Sequence, residues 1–201
     1  MKPGDMTGLF DRFVAFVALL LLLPMLLLIA VLVKTTSPGP VIFRQVRVGR
    51  LGRKFEIYKF RTMVDRADQQ AANVSPRDDP RVTRVGRFLR RYSLDELPQL
   101  VNVLRGDMSL VGPRPETPEY VDLWSPEERR VLEVRPGLAG PSTLAFMHEA
   151  DLLARTDDPA THYETVVLHE RVRMDLAYLE ERSFGYDLRL LCRQALAIVW
   201  R

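Results

Sequence analysis

The most prominent feature of the hydropathy pattern is an apolar run near the amino terminus. No charged residue lies between Phe13 and Val33, and Arg12 and Lys34 bound the run. A run of this length is sufficient for a helix to cross the hydrocarbon core of a bilayer. A signal peptide would have a shorter apolar core followed by small residues at a cleavage site, which the polar stretch from Lys34 does not provide. The pattern therefore predicts a membrane helix.

Pro24 lies near the middle of this run. A proline removes one backbone donor and clashes with the preceding turn, so the sequence predicts a kink near Pro24. Two arrangements remain open, namely a spanning helix with a tolerated proline and a re-entrant helix that returns to the same face. Basic residues after the run place that end on the cytoplasmic side. These residues are Lys34, Arg44, Arg47, Arg50, Arg53 and Lys54.

The pattern after the apolar run predicts a mixed α+β domain that is mostly helical. We divide the chain into a membrane helix at residues 1–36 and a cytoplasmic-face domain at residues 37–201. Short apolar and aromatic segments predict a small strand element near Val41–Met63. Helical spacing predicts helices at Leu97–Leu104, Tyr163–Arg182 and Asp187–Trp200, with Cys192 on the apolar face of the last.

Composition excludes several classes of protein. The chain has 201 residues, of which 47% are hydrophobic and 27% charged, which is incompatible with disorder over most of its length. Its single cysteine excludes a disulfide framework and a cysteine-based zinc cluster. Neither a dinucleotide-binding glycine motif nor a Walker loop is found in the sequence. The net charge is only +3, but arginines cluster at Arg81–Arg91, where they form either a membrane-binding face or a solvated basic face.

Two adjacent carboxylates, Asp95 and Glu96, follow the arginine cluster. Ser93 and Glu96 fit a capping box, in which both side chains would accept hydrogen bonds from backbone N–H groups at the start of a helix. Pro98 would then fall inside the helix, which favours a later start. The two interpretations are compatible, because the start of a helix can also present a carboxylate to a phosphate site.

A second cluster, Gly106–Pro115, holds Arg114 between two prolines. Prolines restrict the backbone on both sides of the arginine. A guanidinium presented in this way suits a phosphate or a carboxylate.

These motifs resemble those of the bacterial sugar transferases, the small monotopic phosphoglycosyl transferases that start lipid-linked glycan assembly. Larger members of that family add several membrane helices, and this chain is similar to the minimal catalytic form. The matching segments are Pro40–Gln45, Tyr58–Met63, Ser93–Leu100, Asn102–Ser109, Val111–Pro115 and Val134–Gly137.

The resemblance implies a reaction. A nucleotide sugar, expected to be a UDP-sugar, gives its sugar-1-phosphate to polyprenol phosphate and releases UMP. Asp95 matches the family nucleophile, which forms a covalent phosphosugar intermediate, and Glu96 matches the residue near Mg²⁺. Pro24 matches the break in the family's re-entrant helix. A carboxylate nucleophile and Mg²⁺ with few protein ligands are chemically consistent with such a transfer.

The resemblance also assigns residues to the phosphate and substrate site. Arg90 and Arg114 match family arginines near the phosphates, and Lys59 matches a lysine whose role is catalytic or structural. Asp175 matches an acid close to the site, and a salt bridge to one of the arginines is an alternative role for it.

Two departures from the family concern the membrane helix and the donor. Leu23 stands where the best-known small members have a serine before the proline. Met147 stands where members often have a nucleotide-contacting arginine, for which Arg155 is a possible substitute.

The expected location is the bacterial inner membrane, with the catalytic domain in contact with bilayer lipids at the cytoplasmic face. Nucleic acid is not expected as a partner, because the paired carboxylates would repel its backbone. The alternatives are a basic binding module and an inactive scaffold. The sequence identifies neither the sugar nor the oligomeric state.

Overall fold

The computed structural model of the chain describes residues 3–65, residue 75 and residues 79–199. The predicted loop residues Pro76–Asp78 and the predicted helix end at Trp200 lie outside this part. The helices are α1 (Pro3–Thr36), α2 (Arg84–Arg91), α3 (Leu100–Arg105), α4 (Pro118–Asp122), α5 (Pro141–Ala145), α6 (Glu149–Leu153), α7 (Pro159–His162), α8 (Leu168–Glu181) and α9 (Phe184–Val199). The strands are β1 (Ile42–Val48), β2 (Lys54–Phe60), β3 (Ser109–Val111) and β4 (Gly137–Ala139). The prediction of a mostly helical α+β fold is confirmed.

The apolar run forms most of α1, which is helical without interruption through Pro24. Within α1, Gly8–Thr36 is long and apolar enough to cross a membrane, and its most apolar 18-residue stretch has a mean hydropathy of 3.2. The kink at Pro24 and the re-entrant course of the helix remain predictions.

One stripe of α1 packs against the rest of the protein along the length of the helix. Ala15 and Val33 are buried near its two ends, on core clusters that include Val103 of α3 and Leu89 of α2. The opposite face is exposed, and Leu21 retains 75% of its accessible surface. Helix α1 therefore shares its core with the domain that follows.

The predicted strand element is an antiparallel hairpin of β1 and β2, with pairs running from Ile42 and Phe60 to Val48 and Lys54. The amide of Asn102 on α3 joins this hairpin to the core. Its Nδ2 donates to Glu56 O at 2.7 Å, and its Oδ1 accepts from Tyr58 N at 3.1 Å. The buried amide thus satisfies backbone groups that would otherwise lose their hydrogen bonds.

A second sheet, not predicted from the sequence, consists of the parallel strands β3 and β4. The backbones approach closely where these strands end. Gly112 N donates to Ala139 O, and Gly137 N donates to Pro113 O, both at 2.9 Å. A Cβ on Gly137 would lie 2.0 Å from Gly112 N. This pairing holds the segment that begins at Pro113.

Several predicted helices differ in detail from the structure. A 3₁₀ segment, Leu94–Gln99, precedes α3, because Pro98 cannot donate a hydrogen bond in a regular helix. A π-helical turn, Tyr163–Val167, precedes α8. The expectation that Cys192 packs in the core is wrong, since the apolar face of α9 on which it lies is largely exposed.

Substitution of Gly137 by Ala tests the close approach of β3 and β4. The new methyl group would meet backbone, which cannot rotate away, so we expect a loss of about 1–3 kcal/mol or more in unfolding free energy. The thermal midpoint in detergent measures the change. Gly185→Ala is the matched control, because its Cβ meets no atom within 4 Å. Equal midpoints for both variants would contradict the packing described here.

Candidate active site

A cavity of about 990 Å³ brings together five of the six residues predicted to form the site. They are Lys59 of β2, Arg90 of α2, Asp95 and Glu96 of the 3₁₀ segment, and Arg114 of the segment after β3. The sixth residue, Asp175 of α8, does not line this cavity.

The backbone at Ser93 turns the chain from α2 into the 3₁₀ segment. Ser93 has a left-handed conformation with φ of 52°, and its side chain caps no helix. The capping-box interpretation is therefore wrong. The side chain of Glu96 does not reach back to the backbone of Ser93, because Lys59 and Arg114 hold it on the cavity side.

Two cations hold the carboxylate of Glu96. Lys59 Nζ donates to its Oε1 at 2.7 Å, and Arg114 Nη2 donates to the same oxygen at 3.0 Å. Burial alone would raise the pKa of Glu96, but Arg114 and Lys59 together hold this pKa well below its ordinary value. Glu96 Oε2 makes no hydrogen bond or ion pair with any described residue. Glu96 is thus ionised, with one oxygen left for a ligand.

Asp95 has a different environment from its neighbour. It is 9% exposed, and its carboxylate forms no hydrogen bond or ion pair with another residue of the described part of the chain, although the backbone N–H of Asp95 itself donates to it. Burial, and then the neighbouring Glu96 carboxylate, raise the pKa of Asp95, while Lys59 and Arg90 oppose the change. Adjacent carboxylates whose pKa values shift in opposite directions are typical of catalytic pairs.

Arg90 also lines the cavity and interacts electrostatically with both carboxylates of the pair. Its Nε donates to Thr62 Oγ1 at 2.9 Å and its Nη1 donates to Ser75 Oγ at 2.8 Å. Burial lowers the pKa of Arg90, but a guanidinium remains charged at any physiological pH. The site therefore presents fixed positive charge from both Lys59 and Arg90 near Asp95.

Asp175 is buried behind the cavity and holds two segments that line it. It is 3% exposed. Its carboxylate accepts from Ser142 Oγ at 2.8 Å, Ser142 N at 3.3 Å and Arg114 N at 3.1 Å. The contact is with the backbone of Arg114, so neither a position in the cavity nor an ion pair with an arginine side chain is observed for Asp175. Its place in the structure is that of a positioning residue.

A second ionic network lines the cavity and was not predicted from the sequence. Glu116 accepts from Arg47 Nη1 at 3.1 Å, from Tyr163 OH at 2.9 Å and from Arg171 Nη1 at 3.5 Å. Arg171 also pairs with Glu149 at 2.7 Å. Four charged side chains thus form one buried network beside the carboxylate pair.

The environment of Met147 differs from the expectation for the donor contact. Met147 lines the cavity, whereas Arg155 is exposed and lies outside it. Arg171 also lines the cavity, and its guanidinium lies 5.3 Å from the centre of the ring of Phe146, the residue before Met147. Arg171, rather than Arg155, is therefore the candidate residue for contact with the nucleotide of the sugar donor.

The carboxylate pair fits the expected divalent ion in a limited way. No group of three or more histidine, cysteine, aspartate or glutamate side chains that could hold a metal occurs in the described part of the chain. Glu96 Oε2 and Asp95 nevertheless offer hard oxygen ligands, and Mg²⁺ commonly takes one or two carboxylates together with substrate phosphates. The residues present fit Mg²⁺ bound jointly with a diphosphate.

Comparison with known proteins identifies the class to which this fold and cavity belong. The family described as bacterial sugar transferase matches residues 5–201. The chain belongs to this family.

Three relatives illustrate its range. The chain is 44% identical over 174 residues to a UDP-glucose:undecaprenyl-phosphate glucose-1-phosphate transferase of Caulobacter vibrioides, covering 85% of this chain and 61% of the relative. It is 46% identical over 146 residues to a UDP-N-acetylgalactosamine-undecaprenyl-phosphate N-acetylgalactosaminephosphotransferase of Aeromonas hydrophila, covering 70% and 34%. It is 40% identical over 190 residues to the exopolysaccharide production protein PSS of Rhizobium leguminosarum bv. phaseoli, covering 90% and 89%.

The pH dependence of stability tests the environment of Asp175. Burial raises the pKa of Asp175 to about 6 from 3.8, although Ser142 and the backbone of Arg114 oppose this. The folded protein then binds this proton more tightly than the unfolded chain, so the stabilisation is complete below about pH 4 and is lost as the pH rises through 6. The unfolding free energy of the wild type, taken relative to that of Asp175→Asn, should therefore fall by roughly 3 kcal/mol between pH 4 and pH 7. If the difference in unfolding free energy between the two proteins did not change with pH, it would contradict the environment described for Asp175.

Proposed function

We propose that the protein transfers sugar-1-phosphate from a UDP-sugar to polyprenol phosphate through a covalent intermediate on Asp95. The observation that carries this proposal is the contrast between two adjacent carboxylates in one cavity. Glu96 is held by Lys59 and Arg114, whereas Asp95 has no such partner in the described part of the chain. A carboxylate that no cation contacts directly keeps an oxygen available for attack, and fixed cations near it suit phosphate groups.

In the first step an oxygen of Asp95 attacks the phosphorus that carries the sugar. The new phosphorus–oxygen bond forms as the bond to the bridging oxygen breaks, and UMP leaves with the electron pair. Arg114 and Lys59 lie where they can stabilise the charge on the transferring phosphate. Arg90 supplies further positive charge near Asp95.

In the second step an oxygen of the lipid phosphate attacks the same phosphorus. A diphosphate bond forms, the bond to Asp95 breaks, and the carboxylate is regenerated. A dianionic lipid phosphate needs no proton transfer in this step. Dividing the reaction in this way replaces one difficult displacement by two easier ones.

Mg²⁺ would be held through Glu96 Oε2 together with donor phosphate oxygens. When bound, it would neutralise charge on the diphosphate and on the leaving UMP. The interactions of Lys59 and Arg114 with Oε1 orient the carboxylate so that Oε2 is available to the ion.

The names of the relatives support the donor and acceptor classes. The Caulobacter and Aeromonas proteins are named for UDP-glucose and for UDP-N-acetylgalactosamine, and both for undecaprenyl phosphate. The chain spans 61% and 34% of the lengths of these two proteins. We propose a UDP-sugar and undecaprenyl phosphate as substrates here.

We further propose that α1 is re-entrant and that the catalytic domain lies on the cytoplasmic face of the inner membrane. Near one end of α1, Ser109 Oγ donates to Asp11, and past the other end Arg61 donates to Ser37. Asp11 and Thr36 would be roughly 38 Å apart in a straight helix, which exceeds the roughly 30 Å of hydrocarbon. Contacts of one domain with both ends favour a helix whose ends lie on the same side.

The surface of the protein supports this orientation. The exposed face of α1 is almost wholly apolar, and Phe10 on it contacts Phe184 of α9. Leu188 and Leu196 extend this apolar surface along α9. An apolar surface of this extent is expected to lie in lipid rather than in water.

The reaction is tested by UMP release from the purified protein in nanodiscs. Wild type with Mg²⁺, polyprenol phosphate and a panel of UDP-sugars should release UMP from a particular sugar. Asp95→Asn should lower this rate by about a thousandfold or more, and Glu96→Ala should lower it with a changed Mg²⁺ response. Full turnover by Asp95→Asn would exclude the nucleophile. No UMP from any sugar would favour a scaffold or a binding module.

The topology is tested by cysteine labelling in intact cells. Cys192 is exposed, so it is first replaced by serine. A cysteine introduced near Asp5 should resist a membrane-impermeant thiol reagent added from the periplasmic side, and should react once the membrane is permeabilised. Ready labelling in intact cells would show that the helix spans the membrane.

A further inference from the structure

We propose that the acceptor lipid phosphate reaches the phosphosugar intermediate through the end of the cavity beside the carboxyl end of α1, and that Arg61 is the positioning residue for this step. This inference rests on the proposed function, because only a two-step transfer has a separate acceptor step. The cavity has two ends that differ in polarity and charge, and the comparison between them carries the argument.

An apolar rim surrounds the end beside α1. It consists of Pro40, Val41 and Ile42 after the helix, and of Met63 and Val64 after β2. Val41 and Ile42 also pack on the core cluster formed by Ile29, Val33, Phe60 and Leu89. The apolar packing of α1 thus extends through Val41 and Ile42 to the edge of the cavity, where an isoprenoid chain lying along α1 could end.

The interior of this end is cationic. Arg61, Arg81 and Arg90 line it together with Asp65, and Arg81 also pairs with Asp79. An apolar rim around fixed guanidinium groups matches an isoprenoid chain that ends in a phosphate.

The opposite end of the cavity is less suited to a phosphate. Its charged side chains are Arg47, Glu116, Glu149 and Arg171, and their formal charges cancel. They also pair with one another. The end beside α1 also holds two carboxylates, Asp65 and Asp79, but it sets three arginines against them. An anion at the opposite end would meet no excess of positive charge, whereas the uncharged part of the donor would not be repelled there.

Arg61 connects the end of α1 to the cavity. It is 6% exposed and is among the residues that line the cavity. Its Nη1 donates to Pro38 O at 2.5 Å, and its Nη2 donates to Ser37 O and Ser37 Oγ, both at 2.8 Å. Its backbone N donates to Val41 O at 2.9 Å. One residue therefore fixes the segment that joins the membrane helix to the apolar rim.

Gly39 makes this arrangement possible. Its φ is +114°, and a Cβ there would lie 2.0 Å from Arg61 Nη1. A side chain at this position would displace the guanidinium without changing Arg61 itself. Gly52 is a matched control, because its φ is also positive, at +76°, and its Cβ would meet no atom within 4 Å.

The two half-reactions separate the acceptor step from the donor step. UMP formation is measured by rapid quench, with the UDP-sugar that the wild type uses and without acceptor. Polyprenol phosphate is then added, and decay of the phosphosugar enzyme is measured. In Gly39→Ala and Arg61→Lys the UMP burst should stay within about twofold, while the decay should slow by about tenfold or more. Gly52→Ala should change neither rate.

Two further variants keep the test decisive if Gly39→Ala or Arg61→Lys folds poorly. Ser37→Ala removes one of the three acceptors of the Arg61 guanidinium, together with a long hydrogen bond from Ser37 Oγ to Val33 O, so it should slow the same decay by a smaller factor. Thr143→Val changes the opposite end of the cavity and should leave the decay unchanged.

Decay at the wild-type rate in the Arg61, Gly39 and Ser37 variants would overturn the inference. Slowed decay in Thr143→Val alone would overturn it too, since it would place the acceptor at the opposite end. A wild type that forms UMP only when acceptor is present would contradict the two-step mechanism itself. The failure of the inference and the failure of the proposed function therefore give different results.

Discussion

The site depends on how two cations are distributed between two adjacent carboxylates. Lys59 and Arg114 both contact one oxygen of Glu96, while Asp95 keeps its carboxylate without a partner in the described part of the chain. Exchange of these roles would neutralise the proposed nucleophile and leave the proposed Mg²⁺ ligand unoriented. Because each position comes from a different element, the arrangement requires β2, the 3₁₀ segment and the segment after β3 to meet within hydrogen-bond distance.

Most of the surrounding structure serves this convergence. The side-chain amide of Asn102 on α3 binds the backbone of β2. The close approach of Gly112 and Gly137 fixes where β3 ends. Asp175 then holds the backbone of Arg114 from behind. Buried polar groups of this kind are costly unless satisfied, so each one restricts the fold to a single arrangement. The carboxyl end of α1 is held in a similar way, because Arg61 joins the segment after this helix to the cavity.

The sequence was sufficient to predict the carboxylate pair, three of its cations and the hairpin, because these lie in contiguous motifs with distinctive residue types. It could not show which face of α1 packs inward, since nearly every position from Phe13 to Val33 is apolar. The three-residue strands β3 and β4 have no periodicity to detect. Arg47, Glu116 and Arg171 are far apart in the chain and form a network only in the folded protein. Asp175 was recognised, but only the structure shows that it contacts backbone rather than an arginine side chain.

The most direct test of the account is intact-protein and peptide mass spectrometry after incubation with a UDP-sugar and Mg²⁺ in the absence of acceptor. The account predicts an added sugar-phosphate on the peptide that contains Asp95, present in the wild type, absent in Asp95→Asn and lost on addition of polyprenol phosphate. An adduct on Glu96 or on another residue would contradict the assignment of the two carboxylates. UMP released without any adduct on the protein would contradict the covalent mechanism.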